Sequence, residues 1–180
     1  EMLVLEKNKG TVRKIMDGKI LGEPLLEVNV ASYVERGLLG IALGGVNKST
    51  VDKDISETVY VFLYFTEALD EVECLDEYNK KEDCTAENLL GHRLYRYELK
   101  ENRLINPKLI LDIPENPGAS HVGGVLAIGP DRNVYLMTGD GESCPNNSCK
   151  NGIDHTVLNT QSANLKKGHL PEGRGGIIRV

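Results

Sequence analysis

The residue of this sequence best suited to acid–base chemistry is His121, which lies in the glycine-rich segment "PGASHVGGVLAIGPDRNVYLMTGDG" at residues 117–141. An imidazole can accept a proton near neutral pH, and a well-placed base accelerates a reaction by roughly 10²–10⁴-fold. The same glycine-rich segment also fits an ordinary solvated loop. The segment alone does not distinguish these interpretations, because the role of His121 depends on the elements that position it.

Composition limits the class of protein. The chain has 180 residues, a net charge of −6 and 40% hydrophobic residues, which is typical of a globular protein with one sizeable core. No apolar run approaches the roughly 18–20 residues needed to cross a bilayer, and we expect no transmembrane segment. The acidic balance, with no basic cluster, argues against a nucleic-acid or anionic-membrane partner. We expect the start at Glu1 to be a mature or trimmed N-terminus.

The four cysteines form two local pairs, and two interpretations of them compete: short disulfide loops in an oxidising compartment, or a metal site. Cys144–Cys149 just meets the spacing of a zinc hook, whereas Cys74–Cys84 has nine residues between its members and does not. We therefore predict the disulfides Cys74–Cys84 and Cys144–Cys149. N-glycosylation triplets at Asn47 and Asn146 agree with export. An extracellular or cell-surface location is expected.

Short β-branched and aromatic runs, separated by Gly, Pro, Asn and Asp, recur along the chain in a fixed order. There are four types: a glycine-flanked apolar run (37–44, 123–130), an alternating run (2–7, 59–67, 133–140), a run ending apolar-x-basic-apolar (12–15, 94–97, 177–180) and a run that follows a proline (24–30, 107–113). The basic residues Lys14, Arg96 and Arg179 are 82 and 83 positions apart. Pro24 and Pro107 are also 83 apart.

Four short strands repeated in one order are the signature of β-propeller blades. We predict an all-β fold, a partial propeller that begins and ends inside blades. The expected boundaries are a partial blade at 1–30, a full blade at 37–113 and a partial blade at 123–180. Because propellers normally close their ring, two apolar faces would be bare, and the remaining blades, in the same longer protein or another chain, are the expected partner. The alternative is a small β-sandwich of the same strands.

Loops at one face of such a disc would form the candidate site. The connection into each innermost strand opens on the same face as the loop between the second and third strands. That face should gather His121, Glu35, Arg36, Asp140 and Glu142, with both cysteine pairs beside them. Propeller active sites typically lie in such loops. Asp140 and Glu142 are also candidate metal ligands, the alternative being a plain glycine turn.

Segments along nearly the whole chain resemble the soluble glucose/sorbosone dehydrogenase family: "ERGLLGIAL", "HRLYRYEL" followed by "NPKLILDIP", "HVGGVLAIGPDRNVYLMTGDG" and "GRGGIIRV". The resemblance implies a six-bladed propeller, of which this chain would supply about two and a half blades. It implies oxidation of a sugar with pyrroloquinoline quinone (PQQ) and calcium. It also implies that His121 is the general base, which takes the proton of the sugar C1 hydroxyl while hydride passes to the quinone. Glu35, Arg36 and Asp140 are the candidate substrate-binding residues.

Three positions depart from the glucose-oxidising members that the sequence resembles. Those members carry glutamine at Glu35, an acid at Ser120 and glutamine at Gly141, all in contact with sugar, so the substrate is expected to differ or the site to have decayed. Most ligands of PQQ and calcium lie in later blades of the family, so the 180-residue chain alone is expected to be inactive. The predicted function is an exported PQQ- and calcium-dependent sugar dehydrogenase. The alternative is a non-catalytic extracellular propeller that serves binding or cell-surface assembly.

Overall fold

The computed structural model describes residues 1–32, 34–44, 58–69, 89–113, 120–139 and 175–180. Within these ranges the chain forms β-strands and no helix. The strands are β1 Met2–Glu6, β2 Thr11–Met16, β3 Lys19–Ile20, β4 Leu26–Glu27, β5 Leu38–Gly44, β6 Val59–Ala68, β7 Leu89–Lys100, β8 Arg103–Ile113, β9 Gly123–Ile128, β10 Val134–Thr138 and β11 Gly176–Arg179.

Three antiparallel sheets follow one another along the chain. The central sheet is a four-stranded meander in the order β5-β6-β7-β8. The first sheet contains β1 and β2, with the short strands β3 and β4 both paired to β2, and the third has the order β11-β10-β9. The sheets stand side by side with β5 against β9 and β1 against β5. This arrangement is a partial β-propeller, as predicted, and not the β-sandwich that was the alternative.

The basic residues that recur at a near-constant spacing in the sequence have equivalent cross-strand partners in the three sheets. The three cross-strand pairs are Lys14–Leu3, Arg96–Phe62 and Arg179–Tyr135. In the second and third sheets the partner residue also pairs with an alanine of the inner strand, Ala42 and Ala127. The spacing of 82 and 83 residues in the sequence therefore joins structurally equivalent positions.

Two hydrophobic clusters fill the spaces between adjacent sheets. The first lies between the first and central sheets and comprises Val12, Leu25, Val30, Leu38, Val61, Leu63, Phe65, Tyr97 and Leu104. The second lies between the central and third sheets and comprises Tyr64, Leu94, Ile113, Val134 and Leu136. Full burial of one such side chain contributes about 1.5–3 kcal/mol. Because the central sheet is covered on both faces, β6 is an almost continuous apolar run.

Among the described residues, the third sheet has one apolar face that no other sheet covers. Val125, Met137 and Ile177 form a row across its three strands and are 65%, 49% and 68% exposed. Val12 and Leu94 occupy the position of Ile177 in the first two sheets, and each is 0% exposed. The difference arises because each earlier sheet packs against the one that follows it.

Several residues singled out from the sequence lie outside the described ranges: Asn47, Cys74, Cys84, Asp140, Gly141, Glu142, Cys144, Asn146 and Cys149. The disulfide and glycosylation predictions therefore stay predictions. In the part of the chain that is described, no helix has the length and apolar character needed to span a membrane.

Candidate active site

The two connections that lead into inner strands end in the same irregularity. Leu39 in β5 and Gly124 in β9 are each skipped in the pairing with the neighbouring strand. Such β-bulges re-aim the end of a strand and are common at the rims of closed sheets. A Cβ on Gly124, whose φ is +122°, would lie 2.7 Å from the Leu39 Cβ, so the two bulges pack together. Arg36 and His121 occupy equivalent positions, two residues before the first paired residue of each strand.

His121 is exposed and adopts a left-handed backbone conformation, with φ of 54°. This region is sparsely populated by non-glycine residues and costs roughly 1–3 kcal/mol. The His121 amide donates a hydrogen bond of 2.6 Å to Oε2 of Glu35. A hydrogen bond to a charged group contributes about 1.5–3 kcal/mol when shielded, and less at an exposed site. The bond therefore offsets part of the strain.

The rest of the His121 backbone is held by the central and third sheets. The hydroxyl of Tyr64 donates to the carbonyl of Val122 at 3.3 Å. Burial raises the pKa of Tyr64, which keeps the hydroxyl protonated as a donor. The His121 carbonyl packs against Gly139, where a Cβ would lie 1.6 Å from that oxygen, so only glycine fits. The peptide around His121 is fixed on both sides, while its side chain lies at the surface.

Lys7, which is not among the predicted site residues, supports the loop that carries Glu35. Its Nζ donates to the carbonyl of Val34 at 2.8 Å, and its own carbonyl accepts the amide of Leu38 at 2.9 Å. Burial lowers the pKa of Lys7, and the charge of Glu35 opposes that shift. Gly37 allows this close passage, because a Cβ there would lie 2.5 Å from the Lys7 carbonyl oxygen. Lys7 is the last residue of the alternating run 2–7 and directly follows β1, and it carries no motif that would mark it.

Arg36 differs from its two rim neighbours in burial. It is 4% exposed, whereas Glu35 and His121 are exposed. The burial puts its guanidinium below the surface at which His121 is presented. Substrate binding by Arg36 stays a prediction.

A second histidine lies beneath the same rim. His92 is 4% exposed, and its Nδ1 lies 2.9 Å from the hydroxyl of Thr66, which is 0% exposed. Its ring stacks on Tyr64 with centroids 6.1 Å apart. Tyr64 in turn contacts Val122, so this buried pair supports the floor of the His121 loop.

The structure brings two of the five predicted rim residues into direct contact, His121 and Glu35. Asp140 and Glu142 lie outside the described ranges. Ala31, in the connection before β5, donates its amide at 3.0 Å to the carbonyl of Thr66 near the end of β6. The end of β6 and the facing start of β7 therefore lie at this rim. Over the described part of the chain, no group of three or more His, Cys, Asp or Glu side chains could hold a metal ion. The chemistry that the described rim offers is proton uptake by an exposed imidazole on a fixed backbone.

The comparison with protein families identifies the chain. The profile of the family described as Glucose / Sorbosone dehydrogenase matches residues 1–160. This chain belongs to that family. A search of curated proteins gives no significant match.

Solved structures share the fold of this glucose/sorbosone dehydrogenase family chain. A protein of Thermus thermophilus described as a putative oxidoreductase (glucose dehydrogenase) is 22% identical, with a TM-score of 0.57, over 99% of this chain and 39% of that one. The PQQ-bound aldose sugar dehydrogenase of Streptomyces coelicolor is 24% identical, with a TM-score of 0.58, over 99% and 40%. Another glucose dehydrogenase is 18% identical, with a TM-score of 0.62, over 99% and 40%. At these identities the likeness shows the fold, and the present chain spans about 40% of the length of the chains it matches.

Proposed function

We propose that this chain is part of an exported, PQQ- and calcium-dependent sugar (aldose) dehydrogenase in which His121 is the general base. Membership of the glucose/sorbosone dehydrogenase family supports sugar oxidation. The fold shared with a PQQ-bound aldose sugar dehydrogenase supports the quinone. The observation that carries the proposal is the exposed His121, whose amide is held by Glu35 at 2.6 Å.

The chemistry asked of His121 is limited to one proton. Oxidation of an aldose at C1 removes a hydride from the carbon and a proton from its hydroxyl, which leaves a lactone. PQQ, when bound, supplies the acceptor for the hydride. The imidazole of His121 takes the hydroxyl proton at a ring nitrogen and passes it to solvent, which its exposed position allows. Arg36 and Asp140 are proposed to contact the sugar, with Glu35 beside them at the rim.

The described residues fit the proton step and do not form a cofactor site by themselves. No described set of His, Cys, Asp or Glu side chains could hold calcium. The proposal therefore assigns most ligands of PQQ and calcium to the remaining blades of a longer protein or of another chain. Those blades would pack on the row formed by Val125, Met137 and Ile177, whose counterparts in the earlier sheets are buried.

Export is part of the same proposal. It is supported by the cysteine pairs Cys74–Cys84 and Cys144–Cys149 and by the triplets at Asn47 and Asn146. An intact mass of the native protein, measured before and after reduction, tests the disulfides. Full alkylation of the four thiols without prior reduction would show that the pairs are not formed.

The function is tested on the full-length protein loaded with PQQ and calcium. We expect it to reduce an artificial dye with aldoses and His121→Gln to abolish this reduction without loss of fold. Glu27→Gln, which alters an exposed carboxylate on β4, is the matched control and should keep the activity. Unchanged dye reduction in His121→Gln would remove His121 from the mechanism.

The departures at Glu35 and Ser120 favour a second candidate, a non-catalytic extracellular propeller that serves binding or cell-surface assembly. A folded protein that binds PQQ but oxidises none of a broad set of aldoses would support this candidate. Dye reduction with any of them would exclude it.

A further inference from the structure

We propose that Glu35 is a positioning residue for His121: its carboxylate holds the His121 amide and so fixes the direction in which the imidazole is presented at the rim. The inference rests on the proposed function, in which His121 takes the substrate proton. Glu35 stands 86 residues before His121, yet its Oε2 lies 2.6 Å from the His121 nitrogen. The contact joins the connection before β5 to the connection before β9.

The backbone around His121 needs such partners. His121 and Val122 lie in the connection that precedes β9. Backbone amides and carbonyls that leave a ladder require other partners. Glu35 accepts the His121 amide, and the Tyr64 hydroxyl donates to the Val122 carbonyl at 3.3 Å. Both partners come from the central sheet or from the connection that leads into it.

Glu35 is itself held from the first sheet. Lys7 follows β1 and donates to the carbonyl of Val34, which adopts a left-handed φ of 54° next to Glu35. The Lys7 ammonium also interacts electrostatically with the Glu35 carboxylate. A chain of contacts therefore runs from Lys7 through Val34 and Glu35 to His121, and it links the connections next to all three sheets. A small displacement of Glu35 would therefore also displace His121, the residue proposed to take the substrate proton.

A positioning role and a role as a plain sugar ligand predict different results. A carboxylate that only binds sugar affects KM and leaves His121 unchanged while sugar is absent. A carboxylate that holds the His121 amide changes that amide before any sugar is added, and it affects kcat more than KM.

The test uses the full-length protein labelled with ¹⁵N-histidine and without sugar. Glu35→Ala is expected to shift the His121 amide resonance upfield and to raise its hydrogen-exchange rate about tenfold or more. Glu35→Gln is expected to restore most of the protection, because its amide oxygen can accept the same hydrogen bond. Glu27→Ala should leave the resonance in place. If Glu35→Ala does not fold, Glu35→Met, which keeps the length of the side chain without its oxygens, replaces it.

Kinetics of the PQQ-loaded protein give the second measurement. We expect Glu35→Ala to lower kcat by about 10–100-fold with KM changed by less than about threefold, and Glu35→Gln to recover most of kcat. An unchanged His121 resonance in Glu35→Ala, or a rise in KM at constant kcat, would overturn the proposal. If the protein shows no dehydrogenase activity at all, the proposed function fails, and the amide measurement still decides whether Glu35 positions His121.

Discussion

Thr66 in β6 and His92 in β7 face each other in register and share a buried hydrogen bond of 2.9 Å between the hydroxyl and Nδ1. Both residues are at most 4% exposed, and the His92 ring lies against Tyr64, whose hydroxyl reaches the carbonyl of Val122. The stability of the His121 loop is thereby linked to a buried polar pair beneath it.

Thr66→Val is expected to lower the free energy of unfolding by about 1–3 kcal/mol, because it replaces the hydroxyl partner of a buried polar nitrogen with a methyl group. Thr66→Ser keeps the hydroxyl and should lose less. Urea unfolding of both variants measures the difference. Equal stability of Thr66→Val and the parent protein would show that the pair contributes nothing net.

The bare face of the third sheet gives a second prediction, made for the full-length protein. If a further blade covers Ile177, Ile177→Ala should destabilise the protein by about 2–5 kcal/mol, as expected for a buried isoleucine. An exposed isoleucine would change stability by no more than about 0.5 kcal/mol. Chemical denaturation separates these values. Leu109→Ala, at an exposed leucine on β8 of the central sheet, is the control and should stay within the smaller range.

Acid sensitivity gives the third prediction. Glu6 accepts hydrogen bonds from the hydroxyl of Thr11 and, at 2.7 Å, from Nε of Arg13, and these bonds lower its pKa to about 2. A carboxyl whose pKa is depressed by folding adds stability above its usual pKa of 4.5, and this stability is lost as the pH falls from there to about 2. Thr11→Val should therefore flatten this part of the stability curve.

Urea unfolding between about pH 2 and pH 6 measures that curve from the shifted pKa to above the usual one. Glu6→Gln should lose stability at the upper end of this range relative to the parent protein and approach it at the lower end. Glu23→Gln, which removes an exposed carboxylate from the same sheet region, provides the comparison. Parallel curves for Glu6→Gln and the parent would rule out a contribution from the Glu6 contacts.

The fold could be predicted because equivalent strands recur in a fixed order and at a near-constant spacing along the sequence. The spacing of Lys14, Arg96 and Arg179 marked equivalent positions, and pairing confirmed them. Extending the Phe62–Arg96 pair along both strands would also have found Thr66 opposite His92. Once the Phe62–Arg96 pair is known, the antiparallel register fixes the other pairs, whereas strand periodicity alone does not fix the register.

The details of the site could be predicted only in part. Topology placed Glu35 and His121 at one rim, but their contact joins a carboxylate to a backbone amide, and side-chain patterns carry no information about that amide. The roles of Lys7 and Tyr64 could not be predicted for the same reason, since each side chain donates to a backbone carbonyl in another part of the chain. Arg36 was expected at the same rim, and its burial there depends on how adjacent sheets pack.

The uncovered row of Val125, Met137 and Ile177 has a consequence for biosynthesis of the proposed longer protein. Ribosomes add roughly 5–20 residues per second, so the next repeat of about 83 residues would emerge roughly 4–17 seconds after this sheet. During that interval the nascent chain would expose this apolar row to other proteins and would be prone to aggregation. Chaperone capture of stalled nascent chains is expected to be strongest at this length and to fall once the following blade has been translated.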